Sequence, residues 1–344
     1  MYRKKYVKRI RTIRRAAVLF VCSMLLAGCA GGLPGHRGER EKQKKTEIHI
    51  GYFPNITHAQ ALVMKAKGLL EAELGKEYEI TWISFPAGPS EVTALFAGEI
   101  DIGYIGPVPA ISANVNSEGD IRVIAGGTVG GAVLVAGQSE NISEVKDLVG
   151  KTVAVPQFGN TQHLCLLKLL KENNLTVGEK ENQVNVVAVE NAQVRTLLDR
   201  REIAAAYVPE PWGSTLESSG AAKVLSEGDE LGDEALPVAV VVGRKEFLDE
   251  NREVSEKFLK VHEQVSLMLQ QEKLTEEINQ EIAAVTGSRL DHEILNQSMK
   301  RIGIMTRIEE DTVMDLAKLT VEAGFVYHMP AQGIVDNSFQ HGGS

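Results

Sequence analysis

The sequence predicts an α/β protein with two lobes and a ligand cleft between them. From residue 47 to about residue 130, short apolar strands alternate with helical patterns, which is typical of βαβ units and a largely parallel sheet. A second round of the same alternation runs from residue 142 to about residue 243. A mostly helical segment then closes the chain, so we expect two similar lobes rather than one continuous sheet.

The first round of alternation builds the predicted lobe 1. Its strands are "EIHIGYF", "EYEITWISF", "IDIGYIG" and "IRVIAGGTV". Its helices are "THAQALVMKAKGLLEAELG", "GPSEVTALFAGE" and "PVPAISANVNSEG". The glycine-rich stretch "GGAVLVAG" follows these elements. A high density of glycines is expected where the chain crosses from one lobe to the other.

The second round builds the predicted lobe 2. It runs through "GKTVAVPQFGNTQHLCLLKLLKENNL", "QVNVVAVE", "NAQVRTLLDRREI", "AAAYVPEPWGSTLESSG" and "AAKVLSEG". The valine-rich "LPVAVVVGRKEFL" is then predicted to form a return strand. We therefore assign residues 47–131 and 244–335 to lobe 1 and residues 132–243 to lobe 2.

The N-terminus has the pattern of a lipoprotein signal peptide. Eight basic and no acidic residues precede 13 largely apolar ones, which is a positive n-region followed by a short h-region. The ending "LLAGC" matches the bacterial lipoprotein cleavage pattern. We predict removal of residues 1–28, lipidation of Cys29 and a flexible linker over residues 29–46, where glycines precede a charged run. The protein is then exported and lipid-anchored to the outer face of the cell membrane, or periplasmic.

Charge and cysteine content narrow the function further. Loss of residues 1–28 leaves 29 of the 37 basic residues against 46 acidic ones, a net charge of −17. An acidic body without a basic stripe argues against nucleic acid as a partner. Cys22 leaves with the signal peptide and Cys29 is acylated, so Cys165 remains without a disulfide partner in the chain.

Five strand-to-helix junctions share one chemistry. They are "FPNITHA", "FPAGPSE", "YIGPVPA", "FGNTQH" and "VPEPWGS". In parallel sheets, ligands sit beyond the carboxyl ends of strands, where the next helix begins. Helix N-termini supply unpaired N–H groups and a partial positive charge that favour anions. Each junction taken alone is also an ordinary helix cap, whereas five together predict the walls of one anion-binding cleft.

These loops resemble the solute-binding proteins of ABC importers for nitrate, taurine and aliphatic sulfonates. The resemblance rests on "GYFPNITHAQAL", "FPAGPSEVTALFAGEIDIGYIGPVPAI", "GKTVAVPQFGNTQHL" and "VPEPW". It covers roughly residues 47–330. It implies a two-lobed periplasmic-binding-protein fold of type II, which closes over one small ligand for delivery to a membrane permease and its ATPase. No cofactor or metal is implied, and we expect a monomer.

The resemblance carries a set of ligand-contacting residues onto this chain. These are Asn55, Thr57, His58, Gly88, Ser90, Gly106, Asn160, Thr161 and Gln162. We add two residues of "VPEPWGS". Glu210 either caps the following helix or accepts a donor from the ligand. The Trp212 ring either covers an apolar ligand tail or packs in the loop.

The sequence "GNTQHLC" departs from relatives, which often have "GNTQDVA". His163 replaces an acidic residue and Cys165 a small one, which leaves the ligand open. A thiolate and an imidazole together suit a soft metal or a thiophilic compound, especially if His58 converges with them. The other interpretation of Cys165 is a small apolar residue buried against the sheet.

Three functions therefore compete. The first is a transport receptor that binds a small anionic solute and performs no chemistry. The second is a receptor for a thiophilic or organometal compound that uses Cys165. The third is an enzyme on the same fold, since proteins that form the pyrimidine of thiamine share it. We favour the first, because no catalytic triad, carboxylate pair or conventional metal motif is present in the sequence.

Overall fold

The computed structural model describes residues 45–227, 230–231, 234–272 and 274–339. The signal peptide, Cys29 and nearly all of the linker predicted above therefore lie outside the described residues. Within the described ranges, no helix is both long enough and apolar enough to cross a membrane.

Two mixed sheets organise the described chain. The first sheet has six strands in the order β13-β4-β12-β3-β1-β2. Their bounds are β1 Thr46–Tyr52, β2 Tyr78–Ser84, β3 Ile102–Ile105, β4 Ile121–Gly130, β12 Pro237–Arg244 and β13 Ile302–Ile304. β1 pairs in parallel with β2 and β3, whereas β12 runs antiparallel to β3 and β4.

The second sheet has five strands in the order β7-β6-β8-β5-β9. Their bounds are β5 Ala132–Gly137, β6 Thr152–Val155, β7 Asn185–Ala188, β8 Ala205–Pro209 and β9 Ala222–Ser226. β6 is parallel to β7 and β8, and β5 is antiparallel to β8 and β9. A small hairpin of β10 Glu230–Leu231 and β11 Glu234–Ala235 stands apart.

Helices follow most of these strands, as the alternating pattern predicts. In chain order they are α1 Ala59–Ala66, α2 Leu69–Leu74, α3 Gly88–Ala97, α4 Pro107–Asn116, α5 Thr161–Glu172, α6 Asn191–Asp199, α7 Trp212–Ser218, α8 Lys245–Glu250, α9 Arg252–Gln271, α10 Thr275–Thr286, α11 His292–Lys300 and α12 Glu310–Glu322. In α9, the buried residues Val254, Phe258, Val261 and Val265 recur every three or four positions, which gives the helix one apolar stripe against the first sheet.

The chain passes from one sheet to the other at two places. Gly130 ends β4 in the first sheet, and Ala132 begins β5 in the second. The chain returns with β12, which is buried over nearly its whole length and pairs between β3 and β4. Residues 237–243, which the predicted bounds assign to lobe 2, form most of β12 and are buried in the first sheet. The bounds of the two lobes stay a prediction.

A buried acid explains two of the glycines in the first sheet. The Glu91 carboxyl of α3 lies against Gly51 of β1 and Gly103 of β3, where any Cβ would overlap its oxygen. Neither carboxyl oxygen has a hydrogen-bond partner among the described residues. Burial therefore raises the pKa of Glu91 well above its ordinary value, and the side chain is held as the neutral acid.

Candidate functional site

A cavity lies at the carboxyl ends of strands from both sheets. All five junctions singled out from the sequence contribute to its wall. The lining residues are Phe53, Asn55, Thr57, His58, Pro86, Ala87, Gly88, Gly106, Pro109, Pro156, Asn160, Thr161, Gln162, Asn191, Pro209 and Val238. Eight of them belong to the set carried over from the family resemblance.

The cavity wall contains helix N-termini but no full charge. α3 and α4 start at Gly88 and Pro107 beside the first sheet, and α5 and α6 start at Thr161 and Asn191 beside the second. Of the described lining residues, none is Lys, Arg, Asp or Glu. Helix N-termini carry partial positive charge and unpaired N–H groups. This wall can therefore solvate a small anion without an ion pair, while its prolines and Phe53 supply apolar surface.

The first junction is held rigidly by hydrogen bonds of its own residues. The Thr57 hydroxyl donates to Asn55 Oδ1 at 2.7 Å, and the Phe53 amide donates to His58 Nδ1 at 3.0 Å. Thr128 of β4 donates through its hydroxyl to the Thr57 carbonyl at 2.7 Å. Because the backbone here is fixed from both sides, Asn55 and His58 are positioned before any ligand arrives.

His58 faces the cavity as a neutral ring. The side chain is 1% exposed and stacks on Phe53, with ring centroids 4.2 Å apart. Burial lowers the pKa of His58 to about 3, so the ring is uncharged at physiological pH. Since Nδ1 accepts a bond from the Phe53 amide, the single ring proton belongs on Nε2. The ring can then donate one hydrogen bond and carries no charge.

The Gly-Asn-Thr turn forms the opposite wall. Asn160 caps α5, because its Oδ1 accepts from the His163 amide at 2.8 Å, as N-cap residues do. Asn160 Nδ2 donates to Gln162 Oε1 at 3.0 Å. Thr161 is 2% exposed, and its hydroxyl has no partner among the described residues. A Cβ on Gly106, from the other sheet, would overlap that hydroxyl, so the two walls approach closely where residue 106 has no side chain.

Ser90 and Glu210 lie outside the lining and connect the two sheets. Ser90 and Gln157 hydrogen-bond through their side chains at 3.2–3.3 Å. Glu210 is fully buried and pairs with Arg301 at 2.8 Å. It also accepts from the Ser214 amide at 3.0 Å, so of the two roles considered for it the structure shows the helix cap. Both oxygens of the Glu210 carboxylate therefore have partners within the protein.

Arg301 is a structural residue that the sequence did not reveal. Its guanidinium bonds to Glu210, Glu217 and Glu227 at 2.8–3.0 Å. Burial acts to lower the pKa of Arg301, but the bonds to these carboxylates outweigh it and raise the pKa above its ordinary value. The group stays charged and ties the segment after α11 to the second sheet. The pairing joins positions 91 residues apart, so no local signal marks it.

Trp212, His163 and Cys165 also lie away from the cavity. Trp212 begins α7 and packs, partly buried, against the apolar cluster of the second sheet. His163 stacks on Phe325 with ring centroids 4.8 Å apart, and burial lowers its pKa to about 4. Cys165 is buried in an apolar cluster with its helix neighbours Leu164 and Leu166. His163 and Cys165 follow Gln162 in α5 and are not among the residues that line the cavity.

A soft-metal site is not supported by this arrangement. It required His58, His163 and Cys165 to converge, and of the three only His58 lines the cavity. Within the described ranges, no group of three His, Cys, Asp or Glu side chains could hold a metal ion.

Sequence reasoning missed half of the lining. Most of the missed residues, such as Phe53, Pro86 and Pro109, lie inside the junctions that had been singled out. Asn191 lies at a sixth strand-to-helix junction, "VENAQ", which lacks the Pro and Gly that marked the others. Val238 comes from β12 and carries no sequence signal, because a buried valine in a strand is ordinary core.

Curated relatives are binding proteins. The chain is 33% identical over 183 residues to the taurine-binding periplasmic protein of Escherichia coli K12, covering 53% of this chain and 54% of that protein. It is 29% identical over 171 residues to a putative aliphatic sulfonates-binding protein of the same strain, covering 49% and 52%. The chain thus spans about half the length of the curated relatives it matches.

Solved structures share the fold at low sequence identity. The alkanesulfonate-binding protein of Xanthomonas axonopodis pv. citri, bound to MOPS, aligns with a TM-score of 0.69 at 20% identity, over 86% of this chain and 98% of that one. The nitrate-binding protein of Synechocystis PCC 6803 aligns with a TM-score of 0.65 at 16% identity, over 84% and 83%. The predicted α/β fold of the type II periplasmic-binding-protein class is confirmed. The model of the NMT1-like family matches residues 41–285, most of the chain, so the chain belongs to the NMT1-like family.

Proposed function

We propose that the protein is the solute-binding component of an ABC importer and captures a small oxyanion, a sulfonate-, taurine- or nitrate-like solute. The observation that carries this proposal is one cavity to which all five strand-to-helix junctions contribute, with helix N-termini and no charged side chain in its described lining. Such a wall can stabilise a compact anion through N–H donors. The names of the relatives, a taurine-binding and a putative sulfonates-binding protein, point to the same ligand class.

The mechanism we propose is closure of two lobes over the ligand. The first sheet with its helices forms one lobe and the second sheet the other, joined at Gly130–Ala132 and before Pro237. The contact of Gly106 with Thr161 and the Ser90–Gln157 hydrogen bond support this mechanism, since both join the two sheets beside the cavity. Hinge closure of this kind sequesters the ligand between lobes. The closed form would then present it to a permease and its ATPase.

We propose that the chain is exported and anchored through lipidated Cys29, and that it acts as a monomer. Binding without chemical conversion is the activity, in keeping with the binding-protein names of the relatives. The thiophilic-compound alternative is not favoured, because Cys165 lies in an apolar cluster away from the cavity lining.

Isothermal titration calorimetry on the purified protein tests the ligand class. We expect saturable binding of taurine, ethanesulfonate or nitrate at one site per chain, and no heat from glycerol at the same concentration. Thr161→Ala should weaken this binding by about tenfold because it removes a donor from the cavity. Thr286→Ala is the matched control, since its hydroxyl bonds to the Ile282 carbonyl and Thr286 does not line the cavity. If none of the three anions binds, the ligand assignment is wrong.

A further inference from the structure

Two buried oxygens of the cavity wall have no partner. They are Thr161 Oγ1 and Asn191 Oδ1, and neither has a hydrogen-bond partner among the described residues. Both residues line the cavity from the second sheet, at the first positions of α5 and α6. A buried polar atom left unpaired is costly. Two of them in the wall of one cavity therefore indicate groups that the ligand satisfies.

The other amide oxygens of the wall are already used inside the protein. Asn55 Oδ1 accepts from the Thr57 hydroxyl, and Asn160 Oδ1 accepts from the His163 amide. Gln162 Oε1 accepts from Asn160 Nδ2. The side-chain groups that remain for a ligand are therefore mainly donors, and Asn191 Oδ1 is the exception.

The chemistry of the two unpaired oxygens differs. The Thr161 hydroxyl donates or accepts, so it can donate to an oxyanion. The Asn191 amide oxygen only accepts, and an anionic head group has no hydrogen to give it. The structure thus provides for a ligand with two parts, an oxyanion and a separate group that carries an N–H or O–H.

We propose that Asn191 is a specificity-determining residue, which accepts a hydrogen bond from a hydroxyl or amino group on the ligand. This inference rests on the proposed function, namely that the cavity binds a small oxyanion. It selects a subset of that class, the short sulfonates that carry a donor on their tail. Sulfonates with a purely apolar tail leave Asn191 Oδ1 buried and unpaired, so they bind more weakly. A site built to bond a substrate donor discriminates strongly against the analogue that lacks it.

Three sulfonates of nearly equal size test this role by calorimetry. Ethanesulfonate has a methyl tail, isethionate a hydroxyl and taurine an amino group. We expect isethionate and taurine to bind about 10- to 100-fold more tightly than ethanesulfonate. In Asn191→Leu this preference should disappear, because the acceptor is gone and ethanesulfonate no longer leaves an unpaired oxygen.

Two further variants test whether the preference among the three sulfonates comes from Asn191. Asn191→Asp retains the shape and adds a negative charge, so it should favour taurine, whose amino group is cationic, over isethionate. Thr161→Ala should weaken all three sulfonates by a similar factor, because its hydroxyl serves the shared oxyanion.

The results of these experiments distinguish a failure of the Asn191 role from a failure of the proposed oxyanion binding. Equal binding of the three sulfonates to the parent protein, or equal weakening of all three by Asn191→Leu, overturns the role of Asn191 and leaves the oxyanion receptor standing. If no sulfonate binds at all, the proposed function fails and this inference fails with it.

Discussion

At the scale of single residues, burial decides which chemistry a side chain offers. His58 immediately precedes α1 at the first junction, where it could donate to an anion or cap the helix. In the structure its pKa falls to about 3 because the ring is buried. The Phe53 amide bonded to Nδ1 leaves the proton on Nε2. The side-chain donors of the proposed anion site are thus neutral, so we expect its affinity to depend little on protonation.

We expect the affinity for a sulfonate to change less than about threefold between pH 5 and pH 8. His58 stays neutral across this range, and no other titratable side chain lines the described cavity. Calorimetry at three pH values measures this. An increase in affinity of tenfold on going from pH 8 to pH 5 would mean that His58 binds the ligand as a cation.

Substitutions at His58 distinguish the hydrogen bond that Nδ1 accepts from the Phe53 amide from the one that Nε2 can donate to a ligand. His58→Asn retains an acceptor where Nδ1 lies but loses the ring tip, so we expect about tenfold weaker binding with little loss of thermal stability. His58→Gln places a donor near the Nε2 position and should bind more tightly than His58→Asn. If both variants bind like the parent protein, His58 makes no ligand contact.

Burial raises the pKa of Glu91, whereas it lowers the pKa of His58. Because the pKa of Glu91 is raised, the folded state keeps a proton that the unfolded state loses above its ordinary pKa of 4.5. The unfolded state is therefore favoured increasingly as pH rises past that value. Glu91→Gln keeps the shape and removes the titration, so its free energy of unfolding relative to the parent should be higher at pH 8 than at pH 5.

Urea unfolding at these two pH values measures the effect. Glu99→Gln is the matched control, because Glu99 is exposed and lies just beyond the same helix. It should show the same difference from the parent at both pH values. A Glu91→Gln variant that behaves like this control would show that the acid is ionised in the folded protein.

At the scale of elements, the two walls of the cavity meet at one glycine. Gly106 has φ −65° and ψ 148°, a conformation that alanine also adopts. Its lack of a side chain is required by contact rather than by backbone strain, because a Cβ would overlap the Thr161 hydroxyl of α5. The strand-to-helix junction after β3 thereby limits how closely the second sheet approaches.

We expect Gly106→Ala to weaken ligand binding by about tenfold or more while changing the melting temperature little. The added methyl group opposes the approach of the two sheets and leaves the packing within each sheet intact. The double variant Gly106→Ala with Thr161→Ala should bind as Thr161→Ala alone does, since the overlapping hydroxyl is gone. Calorimetry and thermal unfolding of the three variants measure both effects. Unchanged affinity in Gly106→Ala would show that the walls do not need to touch.

At the scale of the whole molecule, Arg301 links the two sheets beside their connection. Its partner Glu210 is fully buried, and the Glu210 amide donates to the carbonyl of Gly131, where the chain passes between the sheets. A buried carboxylate that loses its counter-charge is strongly destabilising. The ion pair therefore holds the region of the connection in place.

Arg301→Met should lower the free energy of unfolding by about 3–5 kcal/mol, because it leaves Glu210 buried without a cation. Arg289→Met is the matched control, since Arg289 pairs with Glu276 on the surface with both side chains more than half exposed. Surface pairs are typically worth less than about 1 kcal/mol. Chemical denaturation measures both variants, and equal small effects would show that Glu210 does not need its partner.

The sequence alone determined the features that depend on local pattern. Alternating strands and helices gave the α/β class, since periodicity is a property of neighbouring residues. The Pro, Gly, Asn and Thr residues of the five junctions marked helix entrances, and eight of the carried-over residues line the cavity. These features follow from backbone preferences that act over a few residues.

Only the tertiary structure decided the features that depend on distant contacts. It turned His163 toward Phe325 and buried Cys165, paired Glu210 with Arg301 and brought Asn191 and Val238 to the cavity. Helix rotation and strand order are fixed by the sum of many weak packing contacts between segments far apart in the chain. No short stretch of sequence contains that sum, so "GNTQHLC" predicts a helix entrance but not the direction in which its histidine and cysteine point.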